Sequence, residues 1–170
     1  MLKTKDIKFN GGLLSAGSNA KIIKDNGDEY IVAGLSLAPA DTVEGVNVCA
    51  MAECADCKND CLYTTGRGAM SNVQQARKRK TEFYRDDKEG FMRVVEGDIS
   101  AFKRKCELLG VKPAIRLNVL SDINYMKTIK KFPDVQFYDY TKNVKGAFKE
   151  VPDNYHLTFS YSGAAVYKPL

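Results

Sequence analysis

Long apolar runs are missing from this sequence: nothing in its 170 residues approaches the length needed to cross a bilayer. The first residues, Met1-Leu2-Lys3-Thr4-Lys5-Asp6, also lack the apolar stretch of a secretory signal, so no membrane partner and a cytoplasmic location are expected. Strong charge of one sign is missing too. The net charge of +5 is a mild excess that would help approach to a polyanion without requiring one. Histidine is reduced to His156, and a lone histidine is commonly a hydrogen-bonded core residue, although its titration range suits proton transfer. A disulfide framework is absent as well. The five cysteines are an odd number, and four of them fall between Cys49 and Cys61, a pattern that in a reducing compartment points to thiolate ligation.

What is present is an ordinary globular balance, 44% hydrophobic and 28% charged, enough for one substantial core and short for two. A single domain over residues 1–170 is expected, divided into an N-terminal loop and hairpin (1–34), a strand with a cysteine loop (35–68), and helices with parallel strands (69–170). The apolar runs Ala20 to Lys24 and Glu29 to Ala33 flank Asp25-Asn26-Gly27-Asp28, a hairpin signal. The second arm continues as Leu35-Ser36-Leu37-Ala38 to Pro39, so the chain enters the cysteine segment from the end of a strand. Ser71-Asn72-Val73-Gln74 fits a capping box at the start of a long helical region that closes at Gly110 with one break. Val94, Val95, Ile99, Phe102, Cys106 and Leu109 recur at three- and four-residue spacing, which makes one buried face and assigns Cys106 to the core.

Three β-rich segments then end in polar residues: Ala114 to Leu120 before Ser121-Asp122, Val135 to Tyr140 before Thr141-Lys142, and Tyr155 to Tyr161 before Ser162-Gly163. Asp122 to Phe132 suits a short helix capped by Ser121 or Asp122. Alternating strands and helices imply βαβ units. A closed eight-stranded barrel takes about 250 residues. The expected fold is therefore α/β, an open or partial (βα) barrel of about four or five mainly parallel strands with an N-terminal β-hairpin and a four-cysteine loop.

The spacing Cys49-x4-Cys54-x2-Cys57-x3-Cys61 crowds four thiols into one loop, where a shared metal would neutralise their repulsion. Structural zinc usually takes cysteine pairs from two separated turns, whereas cysteines packed in one continuous loop are typical of iron–sulfur ligation. A [4Fe-4S] cluster is the first reading and zinc the alternative. Four ligands would give a closed electron-transfer or structural cluster, and three would leave one iron open to Lewis-acid chemistry. Lys58, Arg67 and the amides near Gly66 and Gly68 could offset the cluster's charge.

Arg116 and Asn118 share one strand face, as do His156, Thr158 and Ser160. Polar stripes in a sheet buried on both faces need partners or a cavity. Ligands of α/β folds bind at the carboxyl ends of parallel strands. A pocket is therefore expected from Arg116, Asn118, Ser121, Asp122, Asp139, Lys142, His156 and Ser160, converging with the cysteine loop. The same groups also have structural readings: Ser121 and Asp122 as helix caps, Lys142 as solvated surface, and Arg116 as the partner of Asp122 or Asp139.

Residues in most of the chain resemble a bacteriophage family, that of the mycobacteriophage gene-eighty-eight product. The matching pieces are Leu35 to Ala40, Val48-Cys49 through Cys61-Leu62-Tyr63, Gly66-Arg67-Gly68, Ala76-Arg77 with Lys80-Thr81, Arg116-Leu117-Asn118 with Ser121-Asp122, Phe137 to Lys142, and Asn154 to Ser160. The arrangement also resembles the front half of a radical S-adenosylmethionine enzyme, which implies a [4Fe-4S] cluster in a loop after the first barrel strand. That superfamily's loop is C-x3-C-x2-C. Cys54-x2-Cys57-x3-Cys61 reverses those spacings, and Cys49 adds a fourth thiol.

Three functions compete at this level. The first is a phage-encoded iron–sulfur protein in a redox or cluster-dependent role, with a small molecule in its pocket. The second is a zinc-stabilised module binding nucleic acid through the basic stretch Ala76 to Arg85. The third is a host-directed protein whose metal site shapes a protein-binding surface.

Overall fold

The fold is given by a computed structural model of the chain, described for residues 6–17, 23–24, 26–27, 29–58, 61, 64, 66–147 and 150–168. Six strands form one mixed sheet in the order β1 to β6: β1 (Phe9–Asn10), β2 (Ser15–Ala16), β3 (Tyr30–Gly34), β4 (Lys112–Arg116), β5 (Gln136–Thr141) and β6 (Tyr155–Phe159). The first three are antiparallel to one another and the last four parallel, so the sheet is open, with β1 and β6 at its edges. Between β3 and β4 run α1 (Ser71–Asp86) and α2 (Lys88–Leu108). One-turn helices α3 (Met126–Ile129) and α4 (Val144–Ala147) connect β4 to β5 and β5 to β6.

The parallel strands form because both of their faces find apolar neighbours. Ile31, Val32 and Ala33 of β3 are all buried, as a parallel strand covered on both sides requires. Ile31, Ala33, Ile115 and Phe137 face the main core with Phe91, Val95, Ile99, Phe102 and Cys106 of α2. Each such side chain contributes about 1.5–3 kcal/mol by leaving water. Val32 and Ala114 point the other way into a smaller cluster with Tyr30 and Tyr138. Helix α2 starts at Asp87, whose carboxylate accepts the Gly90 N–H at 2.7 Å, and stops before Gly110, which takes the left-handed φ of 68°.

The parallel sheet, the two long helices and the core position of Cys106 agree with the sequence reading, whereas Leu109, expected on the same buried face, is exposed just past the end of α2. Several local expectations are corrected. The N-terminal hairpin is β1 with β2, turning at Gly11 and Gly12, and lies earlier than the Asn26-Gly27 signal. Residues 20–22, 25 and 28 of the expected hairpin lie outside the described residues, and its second arm is instead β3, paired in parallel with β4. The Asn26 side chain accepts the Val32 N–H at 2.8 Å, so its turn chemistry serves β3. Met70 occupies the cap position of α1 and makes no side-chain bond, so no capping box forms at Ser71. The segment after β4 is helical for one turn only, and Asn124, not Ser121 or Asp122, accepts the Met126 N–H, at 3.0 Å.

Candidate metal and ligand site

The four parallel strands end together, and the segments leaving their ends meet in one place. After β3 the chain runs through Leu35 to Ala40, held by Leu35 N–H to the Arg116 carbonyl at 2.9 Å and by Ala38 N–H to Thr81 Oγ1 at 2.9 Å. Thr81, buried on α1, donates in turn to the Arg77 carbonyl. Ala40 adopts a left-handed φ of 50°, unusual for a residue with a Cβ, and its carbonyl accepts the Val48 N–H at 3.1 Å. Cys49 then comes next, at the cavity wall. Its thiol donates to the Leu120 carbonyl at 3.2 Å, and Asp122 N–H donates to the Val48 carbonyl at 2.8 Å, so the cysteine loop is joined to the loop after β4.

A cavity of about 570 Å³ opens at this meeting point. Its wall includes Cys49, Cys57 and Cys61 from the cysteine loop, Arg116, Asn118, Ser121 and Asp122 from the end of β4, Lys142 after β5 and Ser160 after β6. Nine of the twelve residues expected at the site therefore face one space. The other three do not line it. Cys54 is exposed on the same loop, with its thiol 3.5 Å from the Met51 carbonyl. Asp139 is buried beneath the wall. His156 is exposed on β6 opposite Tyr138, on the same face as Ser160 but about 13 Å along the strand from it.

Much of the hydrogen-bonding capacity in the wall is engaged locally. Asn118 Oδ1 accepts from Ser121 Oγ at 2.8 Å and from Ile123 N–H at 2.9 Å, which shapes the loop after β4. Asp122 Oδ2 accepts from Thr141 Oγ1 at 2.7 Å. Lys142 Nζ donates to the carbonyl and the hydroxyl of Ser160, at 2.8 and 3.1 Å. Lys58 pairs with Asp41 and Glu53, both at 3.0 Å. Arg116 differs from all of these. It is 4% exposed, and Asp139 Oδ1 lies 3.9 Å from Nε, beyond hydrogen-bond length, so Nε has no hydrogen-bond partner.

Burial sets the protonation states. It pushes the Cys49 thiol up to about 11, against a backbone hydrogen bond from Ala40 that favours the thiolate. Cys57 is raised for the same reason, while nearby Lys142 acts in the opposite sense. Asp122 is raised by burial against its bond from Thr141, and Asp139 is pushed up to about 7 despite accepting the Asn118 N–H at 2.8 Å. Cys49 and Cys57 are therefore neutral thiols near pH 7, and a metal must displace their protons to bind.

The residues fit a thiolate-bound group in part. Three thiols share the cavity, a backbone N–H bonds to one sulfur, and a lysine stands near another. Among the described residues, no three His, Cys, Asp or Glu side chains are gathered as closely as a single metal ion requires. The C-terminal segment braces the loop from behind: Ser162 Oγ donates to the Ala55 carbonyl at 2.7 Å, Tyr167 OH donates to the Lys142 carbonyl at 2.6 Å, and Ala55, Ala164 and Tyr167 pack together.

A family model, Gene product 88, matches residues 12–169. The chain belongs to the Gene product 88 family. This is the phage family that the cysteine loop and the strand-end motifs resemble. No curated protein and no solved structure matches the chain. The Gene product 88 match spans every strand from β2 onward and all of the cavity wall.

Three contributors escaped the sequence reading. Tyr140 lines the cavity beneath Arg116, and its alternation with Tyr138 along β5 was the signal that could have found it. Thr81 and Ala40 hold the approach to Cys49 through tertiary hydrogen bonds that no local pattern announces. The basic stretch on α1 divides its charges. Lys80 turns inward to the Leu13 carbonyl, and Arg85 binds the Glu44 carbonyl and Asp86, which leaves Lys78 and Arg79 exposed. Among the described residues, no helix is long and apolar enough to cross a membrane.

Proposed function

We propose that this Gene product 88 protein binds a [4Fe-4S] cluster at the carboxyl ends of its parallel strands. On this reading the open sheet with its four parallel strands would serve as a partial barrel, like that on which radical S-adenosylmethionine enzymes hold a cluster. The observation that carries the reading is the cavity shared by the Cys49, Cys57 and Cys61 thiols with the polar strand ends. A cluster several ångströms across spaces its thiolates more widely than one zinc ion does, and the Cys49, Cys57 and Cys61 thiols come from separate positions around one cavity. The cavity-lining thiols are the core of the ligand set, and Cys54, exposed on the same loop, is the candidate fourth ligand.

The chain's own groups prepare such a site. Ala40 N–H and Lys142 favour the thiolate forms that burial opposes. In the metal-free protein the Cys49–Leu120 hydrogen bond holds the loop against the end of β4, and ligation would release it together with the thiol proton. When bound, a cluster would supply one-electron transfer or, at an iron without a protein ligand, Lewis-acid chemistry.

Anaerobic iron and acid-labile sulfide analysis, with EPR of the reduced protein, tests the reading on the wild type and on each cysteine-to-alanine variant. The expected result is a brown protein with equal iron and sulfide, in which Cys49→Ala, Cys57→Ala and Cys61→Ala lose the signal and Cys106→Ala keeps it. Cys54→Ala counts the ligands: loss of iron means four, retention means three. A colourless protein with stoichiometric zinc would sink the proposal.

A further inference from the structure

Arg116 needs an explanation that the cysteines do not supply. A guanidinium carries five N–H donors in a rigid fork, and burying it without acceptors is costly. Arg116 is buried, lines the cavity and makes no side-chain hydrogen bond among the described residues. Its charge rests over the Tyr140 ring, with the guanidinium carbon 4.8 Å from the centroid. Stacking of this kind holds the group in place and leaves its N–H donors for another acceptor.

Asp139 does not fill that need. Its Oδ1 accepts the Asn118 N–H at 2.8 Å and stands 3.9 Å from Arg116 Nε, and its Oδ2 faces Asn118 Nδ2 and Tyr155 OH, each at 3.4 Å. With burial raising it to about 7, Asp139 is protonated in a large fraction of molecules near neutral pH and compensates Arg116 incompletely. Across the cavity Lys142 is a second cation, bound to the neutral Ser160 and in no ion pair among the described residues. Lys58 is already matched by Asp41 and Glu53. Asp122 also lines the wall, its carboxylate accepting from Thr141 Oγ1 at 2.7 Å, and Arg116 has Asp139 at 3.9 Å as its ion-pair neighbour, so among the described residues Arg116 and Lys142 are the wall cations with no carboxylate at hydrogen-bond distance. Next to them are the Tyr140 ring and the apolar Pro39, Val119 and Leu120.

We propose that Arg116 and Lys142 form an anion subsite in this cavity for a small organic molecule with an oxyanion head, a phosphate or a carboxylate, whose body packs on Tyr140. The guanidinium fork suits either head bidentately, and a volume of about 570 Å³ is in the range of small-molecule sites. The subsite stands on the geometry of Arg116 and Lys142 in the metal-free cavity, and a cluster on the thiols would share Lys142 and part of the volume with it.

Calorimetric titration of the full-length, reduced protein with inorganic phosphate, phenyl phosphate and benzoate, at fixed ionic strength in chloride, tests this. Saturable binding of phenyl phosphate or benzoate is expected. Phenyl phosphate binding tighter than benzoate assigns the head as phosphate and the reverse order assigns it as carboxylate, while phenyl phosphate binding tighter than inorganic phosphate shows that the body packs in the cavity. Lys142→Gln should weaken the preferred probe about tenfold, and Arg116→Gln more than that. Arg116→Lys should not restore it, because a lysine lacks the fork. Tyr140→Ala should reduce affinity for the aryl probe more than for inorganic phosphate, which loses only the positioning of Arg116. Should Arg116→Gln fail to fold, the partly exposed Lys142→Gln decides alone. The proposal is overturned if none of the three probes saturates on the wild type, or if the folded Lys142→Gln variant binds as tightly as the wild type.

Discussion

Asp98 Oδ2 accepts the backbone N–H of Leu13 at 2.6 Å, across 85 residues of sequence. The same carboxylate also accepts from Gly12 N–H at 2.9 Å and Leu14 N–H at 2.9 Å, so one acid on α2 terminates the N-terminal hairpin turn. Asp98→Ala would leave these donors without an acceptor. Hydrogen bonds to a charged group are worth about 1.5–3 kcal/mol each, so a loss of at least about 3 kcal/mol is expected in urea unfolding. Asp98→Asn keeps one acceptor oxygen and should cost less.

Gly11 lies directly over that carboxylate. A Cβ there would sit 2.5 Å from Asp98 Cγ, and Asp98 is held by its bonds and cannot move aside. Gly11→Ala should therefore destabilise the protein by about 1–3 kcal/mol, as overpacking does. In the Asp98→Ala background the penalty should largely disappear, a non-additivity that a double-mutant cycle measures.

Asp139 makes stability depend on pH. Its folded value, about 7, lies above that of an unfolded aspartate, so the folded state binds the extra proton between about pH 4 and pH 7. Stability from this group is highest at the acid end of that window, falls as pH rises through it, and is flat above. The wild type should lose on the order of 2 kcal/mol between pH 5 and pH 8 relative to Asp139→Asn, which cannot titrate. Denaturant unfolding of both proteins at the two pH values reads the difference, and parallel behaviour of the two would contradict it.

Thiol reactivity should separate the cysteines of the metal-free protein. Exposed Cys54 is expected to react first with iodoacetamide at pH 8, and Cys49 and Cys106 last, since burial raises both thiols to about 11. Peptide mass spectrometry over a time course gives the order. Cys49 labelling as fast as Cys54 would show that its thiol is not held against Leu120.

Features encoded by chain-local chemistry could be read before the structure. The buried stripe of α2, the polar ends of β4 to β6 and the cysteine spacing are such features, and their convergence follows from parallel strands ending on one side. Tertiary pairing overrode the rest. The Asn26-Gly27 turn signal predicted a hairpin, but Tyr30 to Gly34 gains more by lying beside β4 in parallel. His156 has the expected face, yet face alone says nothing of height along a strand, and it sits at the start of β6. Asp98 falls on the buried stripe of α2 between Val95 and Phe102, and a lone acid in that place was a readable sign of a distant partner.

The cavity draws its walls from distant parts of the polypeptide: Cys49 meets Leu120, and Ala55 meets Ser162. During synthesis the cysteine loop emerges long before either partner exists. An excised peptide spanning residues 46–64 has the thiols without the walls, so its metal chemistry will not stand in for that of the protein. The cavity as a walled site is complete only once residue 162 has been made and docked against Ala55.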